Sequence, residues 1–179
     1  IARICGISYG TKHVKENLAL RFPDTSHSSG LYTVGLLHYN ADSNSSHAPY
    51  APCSLEDLKS RSVDYWALGH VHTRIILSDD NPAAVYPGSA QGLSPRETGE
   101  RGCAVVRVDE NGDPSIHFAE TSAVLWSNVE ISIEELSTSE DLLAAFEQCI
   151  ETARSKSRGR GVMLRITLTG RGALHPSLV

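Results

Sequence analysis

The chain has no C-x-x-C pair, no excess of positive charge, no long apolar run and a single methionine. Its cysteines, Cys5, Cys53, Cys103 and Cys149, stand far apart. Such spacing argues against a thiolate zinc site or a disulfide framework and fits reduced thiols in a cytoplasmic setting. No stretch is long and apolar enough to span a bilayer, and the opening IARICGISYG lacks a basic region followed by an apolar core and a cleavage site. Neither a membrane anchor nor a signal peptide is expected. The formal charge of -5 and pI near 5.9 leave no general basic surface, so any contact with a polyanion has to be local. Internal repeats and long low-complexity segments are also missing. What remains is a globular composition, 40% hydrophobic and 21% charged over 179 residues, enough for one good core or one and a half small ones. The first residue is Ile, already inside a strand-like stretch, which suggests a piece of a longer protein.

Strand and helix patterns alternate with short connections. ARICGISY reads as a strand, HVKENLALRF as a short helix or a turn plus strand, and LYTVGLLHYN as a near-continuous apolar strand before the polar loop ADSNSSHAP. In CSLEDLKSR, Ser54 is placed to cap a helix whose first turn carries acids that suit the helix dipole. DYWALGHVH is apolar on both faces, the pattern of a strand covered on both sides. RIILSDDNPAAVYPGS predicts two shorter strands around a turn, and GCAVVRVDENGDPSIHFAE a hairpin about a Gly-containing tight turn. The character changes near Thr121: LWSNVEISIEEL predicts a strand and SEDLLAAFEQCIETARSKS an amphipathic helix, with Leu142, Leu143, Phe146 and Ile150 at helical spacing and Gly159 beyond its end. VMLRITLTG predicts the last strand.

Histidines carry the chemistry. On a strand running through DYWALGHVH, Trp66, Leu68, His70 and His72 share one face; in LYTVGLLHYN, Tyr32, Val34, Leu36 and His38 are in phase. Both apolar strands therefore deliver histidine at the carboxyl end, where open sheets bind ligands, and Gly69 permits a close approach. With eight histidines in the chain, an H-x-H pair arises by chance about 0.4 times, so placement and not spacing is the signal. Imidazole suits zinc, manganese and iron alike, and His38, His70 and His72 are candidate metal ligands. The alternative is that backbone carbonyls satisfy these rings. His13, His27, His47, His117 and His175 read as loop or exposed positions.

G-H-x-H after an apolar strand, preceded by a strand ending L-L-H, resembles the last two motifs of the calcineurin-like metallophosphoesterases. GLLHYN, YAPCSLEDLKSRSVDYWALGHVH and VYPGSAQGLSPRETGERGCAVVRVD, in that order, are most similar to the SbcD-type DNA repair exonucleases and their YhaO-like branch. The segment from LWSNVEISIEEL to MLRITLTGRGAL resembles the start of the capping domain that follows. The resemblance implies an α/β fold: the second half of a metallophosphoesterase β-sandwich with flanking helices over residues 1–120, then the beginning of a small α+β capping domain over 121–179. It implies that His38 and His70 bind one metal of a two-metal centre and His72 the other, the ions usually being manganese. The whole protein would then be a metal-dependent DNA exonuclease or endonuclease working with an SMC-like ATPase. A phosphoesterase acting on a small phosphodiester and a non-catalytic scaffold for the ATPase remain alternatives.

The motifs D-x-H, G-D-x-x-D and G-N-H-[DE], which in that family supply the remaining ligands and the catalytic histidine, are not in this sequence. No catalytic residue is therefore expected here, and the chain alone is expected to be inactive and to self-associate through uncovered apolar strands. Other departures are Tyr39-Asn40 after the strand histidine, Ser89 where Asn is common, and Leu93-Ser94 where a basic pair is frequent. Gly88, Gly92 and Gln91 lie in the loop after the metal motif, with Gln91 a weak candidate for substrate contact. Arg154, Lys156, Arg158 and Arg160 form a basic run at the end of the predicted helix. It reads either as a solvated helix end or as a set of phosphate contacts to DNA.

Overall fold

Near-continuous apolar runs place strands at Tyr32–His38 (β2) and Tyr65–Gly69 (β3), and both lie inside a five-stranded sheet. The computed structural model describes residues 2–10, 14–24, 30–39 and 53–178. The loop ADSNSSHAP and His13, His27 and His47 lie outside these residues. The chain forms two units, one of Ile1–Ser89 with Cys103–Ala119 and one of Ala90–Gly102 with Glu120–Val179. Residues 90–102 thus group with the second unit, although the sequence pattern reads them with the first.

In the first unit the other strands of the sheet are Ala2–Gly6 (β1), Ile75–Ser78 (β4) and Ala83–Tyr86 (β5), in the order β1-β2-β3-β5-β4. All neighbours are parallel except β4, which runs antiparallel to β5. Asp64 sets the register at the start of β3. Its carboxylate accepts from the Thr33 N–H at 2.6 Å, its N–H donates to the Thr33 carbonyl at 2.8 Å, and its carbonyl accepts from the Ala83 N–H at 3.2 Å.

Each face of β3 is covered. On one side Trp66 and Leu68 are buried with Phe22 and with Leu58 of a short helix, Leu55–Lys59 (α1), and Trp66 donates its indole N–H to the Leu58 carbonyl at 3.3 Å. Ser54 and Asp57 close a capping box on α1, as the sequence predicts for Ser54. The stretch read as a short helix or turn plus strand forms a 3₁₀ turn at Leu18–Arg21 that packs into the same core. On the other side Tyr65, Ala83 and Val85 pack against Ala104, Val106 and Ile116 of the hairpin Gly102–Val108 (β6) and Pro114–Glu120 (β7). That hairpin leaves the β1 end of the sheet uncovered, where Ile4 is 69% and Leu36 44% exposed.

In the second unit, Val124–Ser132 (β8) and Gly161–Thr169 (β9) pair in parallel through all nine positions. Parallel neighbours need a long crossover, supplied by the helix Ser139–Lys156 (α2). Leu142 and Phe146 of α2 join Ile133, Leu168 and Leu174 in one cluster, but Leu143 is 59% and Ile150 45% exposed. The apolar stripe read from the sequence is therefore only half covered, because a two-strand ribbon is narrower than a stripe of that width. A short helix, His175–Leu178 (α3), follows β9.

All four cysteines are free thiols, and burial pushes the Cys53 thiol up to about 12, where it stays protonated and unreactive. Among the described residues no helix is long and apolar enough to cross a bilayer.

Gly35 exists to admit Trp66: a Cβ there would lie 2.7 Å from the indole carbons and 3.0 Å from Val63. Gly35→Ala is expected to destabilise the first unit by about 1–3 kcal/mol, as overpacking does. Gly10→Ala, which meets nothing within 4 Å, is the control, with urea denaturation as the measurement.

Candidate functional site

β2 ends on His38, and parallel register sets that residue opposite Gly69, the last residue of β3. The missing side chain at Gly69 makes room for the His38 ring, since a Cβ there would lie 2.9 Å from His38 Nδ1. The close approach foreseen at Gly69 is thus made by His38 itself.

β3 stops at Gly69, its fifth residue, before either histidine of G-H-x-H. His70 takes φ 103, a region L-residues seldom occupy. Had the strand continued to His72, as the sequence pattern suggests, His70 would face the Trp66 side, opposite His38. The turn at His70 breaks that alternation. His70 Nδ1 comes to 3.3 Å from His38 Nε2, with ring centroids 5.2 Å apart and planes at 80°. The pair has two chemical readings. With one ring donating and the other accepting, 3.3 Å is a long hydrogen bond. Two nitrogens that far apart can also share one ion at about 2.1 Å each, with an angle near 100° at the metal.

His38 has its pKa held below the usual imidazole value, chiefly by burial and then by the neighbouring His72. Both causes favour the neutral ring, the form that ligates a metal. His72 is exposed, and its backbone is anchored by the loop after β5: the Ser89 N–H donates to the His72 carbonyl at 3.1 Å. Gly88, with φ 82, is needed there because a Cβ would lie 2.9 Å from that same carbonyl. Among the described residues no group of three or more His, Cys, Asp or Glu is arranged to hold an ion. The fit to a metal is that of two imidazole donors, His38 and His70, with His72 nearby and no third ligand gathered around them among the described residues.

An open cleft of about 680 Å³ lies at the carboxyl ends of β1, β2 and β3, bordered by Ser8, Tyr9, Leu36, His38 and Gly69. The Tyr9 ring stands 6.0 Å from that of His38. Tyr86, at the end of β5, donates its hydroxyl to the carbonyl of Tyr39 at 3.0 Å and so steadies the chain just past His38. Sequence reasoning did not find Tyr9 or Tyr86, since no local pattern pairs a hydroxyl with a carbonyl 47 residues away.

The weaker candidates lie in the second unit. Gln91 is fully engaged: its NH₂ donates to the carbonyls of Gly92 and Val124 at 2.9 and 2.8 Å, and its oxygen accepts from the N–H groups of Ala123 and Val124 at 2.9 and 3.2 Å. It clamps the 90–102 segment to the start of β8. The basic run is largely neutralised. Arg160 meets Glu120 at 2.7 Å and Glu100 at 3.8 Å, Arg158 meets the same two acids at 3.5 and 3.8 Å, and Arg154 pairs with Glu151 at 3.6 Å. Lys156 has no ion pair among the described residues and borders a separate cleft. His117 is exposed on β7, and His175 opens α3.

Residues 126–179 match a family model described as "Metallophosphoesterase YhaO, middle domain". Over 172 residues, 95% of this chain, the sequence is 37% identical to a Bacillus subtilis (strain 168) protein named "Uncharacterized metallophosphoesterase YhaO". The aligned stretch is 40% of that relative, so the chain spans less than half of its length.

Gly69→Ala is expected to push the two rings apart. Histidine-selective NMR should show ring signals of His38 and His70 moving while those of His117 stay in place. Unmoved His38 and His70 signals would show that the close approach does not depend on Gly69.

Proposed function

The two matches support a place for the chain in the metallophosphoesterase family, and from that premise we propose that it supplies the histidine-bearing part of a two-metal phosphodiesterase centre acting on DNA. The observation that carries this reading is the meeting of His38 and His70 at 3.3 Å beyond the carboxyl ends of two adjacent parallel strands. His38 and His70 would hold one divalent ion and His72 the other. A metal pair held there, manganese in this reading, would supply water activation and charge stabilisation for phosphodiester hydrolysis.

The chain's own contribution is to place and prepare nitrogen donors. Partial desolvation and the nearby His72 favour the neutral His38 ring, Gly69 admits it beside His70, and the Ser89 contact fixes the backbone at His72. These are the positioning contacts that tune a metal site from outside its ligand set. Three imidazoles without a bridging carboxylate leave two dications unshielded from each other, so the chain alone holds at most one ion weakly and does not cut DNA. In the same reading the whole protein is a cytoplasmic repair exonuclease or endonuclease that works with an SMC-like ATPase. A phosphodiesterase for a smaller substrate is the second reading, favoured by a cleft whose volume lies in the range of small-molecule sites.

In a full-length protein carrying this segment, His38→Ala and His72→Ala should each lower manganese-dependent phosphodiesterase turnover by about tenfold or more, as loss of a metal ligand does. His117→Ala is the control, and three equal effects would remove the assignment. Activity on small phosphodiesters with none on DNA would select the second reading.

The chain by itself should self-associate through the sheet face at Ile4 and Leu36. Light scattering should report a species larger than a monomer, and Ile4→Glu with Leu36→Glu should return it to monomer. A monomeric parent chain that cleaves DNA would overturn this account of the isolated segment.

A further inference from the structure

The two peptide groups that adjoin His38 and His70 are bonded to each other. The Tyr39 N–H, in the peptide bond that follows His38, donates at 3.3 Å to the carbonyl of Gly69, in the peptide bond that precedes His70. Through that bond the backbone of Tyr39 touches both sides of the histidine pair. The ladder between β2 and β3 closes with His38 opposite Gly69, so the Tyr39 carbonyl has to find its partner outside the ladder. Tyr39 is fully buried, and a buried carbonyl left without a donor is costly.

The donor is the Tyr86 hydroxyl, 3.0 Å from that carbonyl. Tyr86 is the last residue of β5, the strand beside β3 in the sheet, and β4 pairs with it at Ile75. Its side chain is fully buried in the cluster that holds Trp66 and Leu68, with its ring 5.7 Å from that of Tyr39. The hydroxyl is thus carried on a seat fixed by the sheet and by the core. Packing alone would be met by a phenylalanine at this position. The oxygen adds a bond to the backbone between the two histidines.

We propose that Tyr86 is a positioning residue of the histidine pair: acting through the Tyr39 backbone, its hydroxyl sets the separation of His38 and His70. It touches neither ring. With the hydroxyl in place, the Tyr39 carbonyl is held and its N–H stays aimed at the Gly69 carbonyl. Without it, the carbonyl is buried and unpaired, and the backbone turns to find another donor. That turn loosens the bond to Gly69 and with it the conformation of His70, whose φ of 103 persists only while its surroundings hold it. The inference concerns the geometry of the pair, and only its effect on metal binding rests on the phosphodiesterase reading.

The test compares Tyr86→Phe with Tyr65→Phe, the same loss of a hydroxyl from a buried tyrosine on the opposite face of the sheet. In the full chain with EDTA, Tyr86→Phe should move the ring signals of His38 and His70 in histidine-selective NMR and leave those of His117 in place, whereas Tyr65→Phe should move none of them. Circular dichroism checks the fold; if Tyr86→Phe is unfolded, 4-fluorophenylalanine at position 86, which fills the space of the hydroxyl without donating, decides in its stead. A purely structural role would lower the urea midpoint and leave the histidine signals of the folded state unmoved. That outcome, or equal shifts in both variants, would overturn the proposal. In a full-length protein carrying this segment, Tyr86→Phe should raise the manganese concentration for half-maximal turnover by about tenfold, as loss of an outer partner does, with KM for the phosphodiester changed less than about twofold. An active protein whose manganese requirement is unchanged by Tyr86→Phe also defeats the proposal. Shifted histidine signals in a full-length protein without metal-dependent turnover would count against the phosphodiesterase reading and leave the positioning role standing.

Discussion

A side chain that is not there governs the candidate centre. With any residue larger than glycine at 69, a Cβ would press within 2.9 Å of His38 Nδ1, and the ring would have to leave its present seat. The parallel register makes that meeting unavoidable, because His38 and Gly69 are partners in the ladder. The departure from strand geometry at His70 does the rest, turning the next residue back toward the face it would otherwise point away from. Two histidines from distant parts of the chain thereby come within 3.3 Å.

That arrangement rests on a sheet whose register is tied at the other end. Asp64 bonds to Thr33 and to Ala83, so β2, β3 and β5 start in step and their carboxyl ends finish together. Burial of Trp66 and Leu68 on one face and Tyr65 on the other keeps β3 from sliding, since a one-residue slip would exchange its faces. The loops that leave the carboxyl ends inherit this precision. The Gly88-Ser89 loop after β5 reaches the His72 carbonyl, and the Tyr86 hydroxyl reaches the carbonyl after His38.

The second unit shows how a charge pattern changes meaning once it is folded. In sequence, Arg154, Lys156, Arg158 and Arg160 are four equal cations at a helix end. In the structure Glu100 and Glu120, distant along the chain, engage Arg158 and Arg160, and those ion pairs join the 90–102 segment to the turn after α2. Partly exposed pairs of this kind add little stability one by one, but they set which cation remains available. Gln91 stands in a loop where a substrate contact would be placed, yet its amide is used up by the backbone of Gly92, Ala123 and Val124.

Local patterns, which act over a few residues, were legible in the sequence itself. Continuous apolar runs marked β2 and β3, the Ser54 cap marked the start of α1, the Gly-containing turn marked the β6–β7 hairpin, and helical spacing marked α2. The histidines at the strand ends were legible for the same reason. What only tertiary structure decided depends on atoms far apart in the chain. The early end of β3 and the turn at His70 follow from the fit around His38, 32 residues away. The exposure of Leu143 and Ile150 follows from the width of a two-strand sheet, and the pairing of Arg158 and Arg160 from acids brought up by another segment. Periodicity states which face a residue can present; only packing decides whether anything is there to meet it.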